Sequence, residues 1–238
     1  MTATLHTHPD TAALAEAVAE RWAVLAGEAI REHGRFTVAL SGGRTPRALY
    51  ERLASPAWRE RLPWDRTELY LGDERCVPAD HPDSNARMVR EALLDRLSSP
   101  PSFFPMVTTP DRPDQDAARY GDLLRERLGD TPVPEFDLVL LGMGADGHFA
   151  SLFPGTTALE DREGFVLPVW VEKLGSHRIS LGRRLIAAAR HRIVMVAGED
   201  KRDALSAVLN EPASRLPIAC LQRQAALEWH VDVKAAAI

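Results

Sequence analysis

The spacing of apolar positions changes repeatedly along this chain. Over residues 10–33 they recur at helical intervals, with Leu14, Val18, Trp22, Leu25 and Ala29 on one face. Asp10 or Thr11 can cap that helix and Gly34 stops it. The run Phe36–Leu40 that follows is short, apolar and partly β-branched, which suits a buried strand. The same reading predicts strands over 68–71, 137–141, 165–169, 178–181, 192–197 and 216–219. Helices are predicted over 46–53, 85–97, 114–128, 182–189 and 201–209. Alternation of this kind implies an α/β fold, a mostly parallel open sheet with helices on both faces, Rossmann-like in outline. Prolines 100, 101, 105, 110 and 113 mark an extended connection rather than a domain boundary, because neither flank looks self-sufficient. One domain over 1–238 is expected, with residues 1–9 as a tail.

In an open α/β sheet, ligands collect at the carboxyl ends of the strands. Three polar, glycine-rich segments follow predicted strands here: Ser41–Pro46 (SGGRTP), 72–75 (GDER) and 142–148 (GMGADGH). If those strands are parallel, the three segments share one edge. In the first, Thr45 is placed as a helix N-cap with Pro46 next to it. Ser41, Gly42, Gly43, Arg44 and Thr45 then form either a phosphate cradle or a ligand-free strand-to-helix turn. The spacing is not that of a nucleotide-triphosphate loop. The third segment contains G-x-G-x-x-G, but Asp146 would face a pyrophosphate and no helix of useful length follows, so a dinucleotide site is rejected. Its glycines instead present Asp146 and His148 at a loop tip, where a neutral imidazole can accept a proton and the carboxylate can orient it.

In the second segment, Arg75 can clamp an anion while Asp73 binds hydroxyls or assists proton transfer; the same residues can also form an internal ion pair. Arg178 and Lys201 read locally as solvated charges. The remaining histidines, at 6, 8, 33, 81, 177, 191 and 230, are assigned to surface or structural positions. Asp73, Asp146 and His148 could ligate a metal, yet nothing in their spacing requires one.

Composition narrows the classes. Lys and Arg total 29 against 34 Asp and Glu, a net charge of −5, which argues against a nucleic-acid binder. A small anionic substrate needs only a local positive cluster and stays open. Apolar runs are far short of a membrane span and the first residues lack a secretory pattern. Cys76 and Cys220 have no paired-motif spacing and read as reduced thiols, so the expected compartment is the cytoplasm. Nothing in the sequence sets the oligomeric state, and a monomer is the working expectation.

Taken together, SGGRTP (41–46), GDERCVPADHPDSN (72–85), LGMGADGHFASLFPG (141–155), HRISL (177–181) and GEDK (198–201) resemble the 6-phosphogluconolactonase branch of the amino-sugar-phosphate isomerase/lactonase superfamily. The resemblance runs from about Ser41 to Lys201. It implies the isomerase-like α/β fold and hydrolysis of 6-phospho-D-glucono-1,5-lactone, a sugar-phosphate lactone, without metal or organic cofactor. It implies His148 as general base supported by Asp146, and Arg75 on the carbonyl oxygen, with Asp73 also in the catalytic set. Ser41, Gly42, Gly43, Arg44, Thr45, Arg178 and Lys201 would hold the phosphate. The isomerase branch carries a Glu where this sequence has Phe153, a ring that cannot move protons. Two departures from the lactonase pattern are Phe149 and Ser180, each where Thr is usual. An amino-sugar-phosphate isomerase/deaminase and a non-catalytic sugar-phosphate sensor are the rival readings.

Overall fold

The strand predicted at Phe36–Leu40 is an interior strand of the main sheet, with every one of its residues buried. The computed structural model describes residues 3–129 and 131–236. Ten strands are described: β1 Thr4–His8, β2 Phe36–Leu40, β3 Thr67–Leu71, β4 Asp73–Arg75, β5 Ser102–Phe104, β6 Leu138–Gly142, β7 Val166–Val171, β8 Ser176–Leu181, β9 His191–Val196 and β10 Glu228–Asp232. Seven of them form one sheet in the order β1-β10-β9-β6-β2-β3-β5, and every pairing in it is parallel. This is the α/β architecture expected. The apolar runs Phe36–Leu40, Leu138–Leu141 and Ile193–Val196 in β2, β6 and β9 are what a parallel sheet covered on both faces requires.

The helix Thr11–His33 is held at its start by Asp10, whose carboxylate accepts from the Ala13 N–H at 2.8 Å, and ends at Gly34 in the left-handed region. Leu14, Val18, Trp22 and Leu25 are all buried, as their spacing predicts. Trp22 meets Phe36 edge-on at 5.5 Å, tying the helix to β2.

Several expectations are corrected. Residues 4–8, assigned to a tail, are the edge strand β1, paired in register with β10 from Thr4↔Glu228 to His8↔Asp232. Residues 216–219 are not a strand; Pro217–Gln222 is a helix, begun by a proline whose missing N–H costs nothing at a first helical position. The helix over 85–97 stops at Ala92 and tightens into a 3₁₀ turn at Leu94–Arg96. The strands near 165–169 and 178–181 do not join the parallel sheet. With β4 they build a separate antiparallel sheet, β4-β8-β7. That small sheet positions the site, because it carries Asp73 and Arg75 opposite Ser180 and Arg178.

Candidate active site

The three segments singled out in the sequence do meet at one edge of the sheet. A cavity of about 520 Å³ lies there, lined by residues 41–46, Asp73, Arg75, Asn85, residues 142–144, His148, Arg178, Lys201 and others. Asp146 is the one expected site residue outside that lining, and it lies directly behind His148.

Each wall is fixed by the chain around it. At the turn after β2, Tyr50 donates its hydroxyl to the Ser41 carbonyl at 2.7 Å and accepts from the Ser41 N–H at 3.0 Å. The helix begins at Arg44 with Gly43 as cap residue, so Thr45 is inside the helix and is not its N-cap. Gly43 has φ +102°, which a side chain strains to adopt, and Gly42 admits no Cβ because Asn85 Oδ1 would lie 2.1 Å from it.

At β4, neighbouring residues divide the work. Glu74 is buried and points away from the cavity, accepting from the N–H groups of Asn85 and Ala86 at 2.7 Å each. Burial pushes its carboxyl up against these hydrogen bonds. Asp73 faces the cavity, buried, and accepts from the Ser151 hydroxyl at 2.6 Å. Arg75 and Arg178 stand opposite each other in register, and each has a buried Nε with no hydrogen-bond partner among the described residues. Burial lowers the Arg178 pKa, Asp73 opposes that shift, and Arg75 adds to it. Two adjacent guanidiniums with spare donors make a place for an anion.

His148 sits where the loop after β6 turns back. Its Nδ1 is 2.5 Å from Asp146 Oδ1, and a carboxylate only accepts, so the ring proton resides on Nδ1 and the lone pair on Nε2. Burial drives the His148 pKa below the ordinary histidine value, against the pull of Asp146 in the other direction. For Asp146 burial acts upward, but Lys173 and His148 outweigh it and hold the carboxyl well below the usual range. Lys173 bonds Asp146 Oδ2, a contact that nothing in the sequence announces, since 27 residues separate the two. Phe153 stacks on the His148 ring at 4.0 Å and 28°, and the Lys173 and Arg178 cations lie over its face. Gly144 is required by this packing: a Cβ there would fall 2.0 Å from His148 Nδ1.

The family model for glucosamine-6-phosphate isomerases/6-phosphogluconolactonase matches residues 9–229. The chain belongs to that family. Among its relatives in the family, a 6-phosphogluconolactonase of Nostoc sp. is 44% identical over 214 residues, covering 88% of this chain and 87% of the relative. One of Synechocystis sp. is 42% identical over 213 residues, 87% and 86% of the two chains. The solved 6-phosphogluconolactonase of Trypanosoma brucei superposes with a TM-score of 0.86 at 28% identity, covering 99% and 98%. The two departures from the lactonase pattern are absorbed without loss. Phe149 is fully buried in the core, and the Ser180 hydroxyl accepts from the Ser151 N–H and donates to the Leu181 carbonyl.

Proposed function

We infer that this chain is a 6-phosphogluconolactonase, hydrolysing 6-phospho-D-glucono-1,5-lactone to 6-phosphogluconate in the oxidative pentose phosphate pathway. The observation that carries the mechanism is the His148–Asp146 pair set on a cavity rim beside two guanidiniums. A δ-lactone is already electrophilic, so an activated water suffices and no covalent intermediate is needed. His148 Nε2 takes a proton from water as its oxygen attacks the lactone carbonyl. Asp146, itself anchored by Lys173, keeps the ring in the required tautomer and stabilises the imidazolium that forms. Arg75 stabilises the charge on the carbonyl oxygen. The tetrahedral intermediate collapses with cleavage of the ring C–O bond, and the imidazolium returns its proton to the departing oxygen. The acid product ionises at neutral pH and releases one proton to solvent.

The turn Ser41–Thr45, with Arg44 at its outer side, receives the 6-phosphate on its backbone N–H groups. Lys201 and Arg178 neutralise it. Asp73, fixed by Ser151, holds substrate hydroxyls between the two ends. Phe153 supports the lactonase reading over the isomerase one, since an apolar ring packs on His148 where a second proton carrier would be needed. Among the described residues no helix is long and apolar enough to cross a membrane, and both cysteines are free thiols, which suits a cytoplasmic enzyme. Loss of the lactone faster than its spontaneous hydrolysis tests the reading. Binding of 6-phosphogluconate without turnover would replace it with the sensor, and ammonia release from glucosamine 6-phosphate with the deaminase.

A further inference from the structure

Three histidines that look unrelated in the sequence come together at the far edge of the parallel sheet. The register of β1 on β10 sets His6 directly beside His230, and their rings stack with centroids 4.8 Å apart. Glu228 lies two residues before His230 and therefore on the same face of β10. One ligand atom from each of His6, Glu228 and His230 lies within 4.8 Å of the others. None of the three lines the cavity described above.

The surrounding contacts orient these groups as metal ligands are oriented. Glu228 Oε2 accepts from Arg21 Nε–H at 3.1 Å, which leaves Oε1 directed at His230 Nε2, also 3.1 Å away. On the other side of the His230 ring, Nδ1 is 3.1 Å from His8 Nε2. A histidine bonded to an ion through one nitrogen characteristically has the other engaged by a fixed partner, as His8 engages His230 here. Donor atoms around a tetrahedral zinc ion stand roughly 3.4 Å apart, so the exposed His6 ring needs to move inward by about an ångström.

We propose that His6, His230 and Glu228 form a surface site for a borderline divalent cation, Zn²⁺ or a close relative, which clasps the edge strand β1 onto β10. Two imidazoles and one carboxylate suit such an ion better than Mg²⁺ or Ca²⁺, which take oxygen ligands. The fourth position faces solvent through His6 and is filled by water. The site is structural and plays no part in lactone hydrolysis, so it stands apart from the functional reading above.

The test is calorimetric titration of the full-length, untagged, EDTA-dialysed protein with zinc sulfate. Expected is about one equivalent bound with micromolar or tighter affinity. At about a hundredfold excess over Kd, the melting temperature should rise by roughly 5 °C. His6→Ala removes an exposed ring, keeps the fold and should weaken binding at least tenfold, as should Glu228→Gln. His148→Asn should leave zinc affinity unchanged. The proposal is overturned by the lack of saturable binding below about 100 μM, by equal affinity in His6→Ala and the parent, or by binding that follows His148.

Discussion

Replacing Gly144 with Ala should disable the enzyme while leaving it folded. The added Cβ would lie 2.0 Å from His148 Nδ1, 2.1 Å from His148 Cε1 and 2.7 Å from Asp146 Oδ1. Methyl and ring cannot coexist there. To regain the 3.4 Å of ordinary contact the ring must retreat by about 1.4 Å, which separates Nδ1 from Asp146 and tilts the ring off Phe153. Gly144 is not among the residues with positive φ, so its backbone tolerates Ala. The lost flexibility of the unfolded chain, worth about 0.4–1 kcal/mol, offsets part of the cost of displacing the ring. The phosphate turn and Arg178 are untouched. Displacing a catalytic group by an ångström costs about 10²-fold, and losing general-base catalysis entirely costs about 10²–10⁴-fold. A fall in kcat within that span is expected, equivalent to about 2.7–5.5 kcal/mol in activation free energy, with KM nearly unchanged. Proton release in weak buffer with a pH indicator, corrected for spontaneous hydrolysis, gives kcat and KM, and a thermal melt confirms the fold. A folded Gly144→Ala protein with parental kcat would refute the assignment of His148 as base.

His148→Asn should lower kcat by about 10²–10⁴-fold with little effect on KM; an unchanged kcat removes the residue from the mechanism. Arg178→Ala should raise KM strongly, and steady-state kinetics with KM unmoved would show that the phosphate is held elsewhere. The base works as neutral imidazole, so kcat/KM should fall with decreasing pH through the His148 pKa, which burial sets below the ordinary value of 6.5. Lys173 pushes that pKa down and Asp146 pushes it up. The acidic limb of the pH profile should therefore move to higher pH in Lys173→Met and to lower pH in Asp146→Asn; identical limbs would deny the relay behind His148.

The site was legible in the sequence because its pieces are local: each strand end carries its own polar turn, and a parallel sheet brings strand ends together. Asp146 and His148 are two residues apart, so a carboxylate able to orient the imidazole is legible, whereas their direct contact is set by how the loop folds. Lys173 was not, because only the return of β7 and β8 over the loop carries it there. The second sheet escaped notice for a related reason. Asp73–Arg75 is too short and too charged to read as a strand, and its partner is over a hundred residues away. At the edge, β1 is polar and carries two histidines, since an edge strand need not be apolar on both faces. The run at 216–219 was ambiguous by period alone, and the proline after Leu216 is what decides for helix. Thr45 lost its capping place because the helix begins a residue before it, on Gly43 and Arg44.

The most direct test of the account is the loss of 6-phospho-D-glucono-1,5-lactone in the presence of the purified protein and excess EDTA, measured against the spontaneous rate near neutral pH. The account predicts clear acceleration that EDTA does not reduce, and that His148→Asn abolishes. A folded protein that leaves the lactone to its spontaneous rate, or one whose activity EDTA removes, would contradict it.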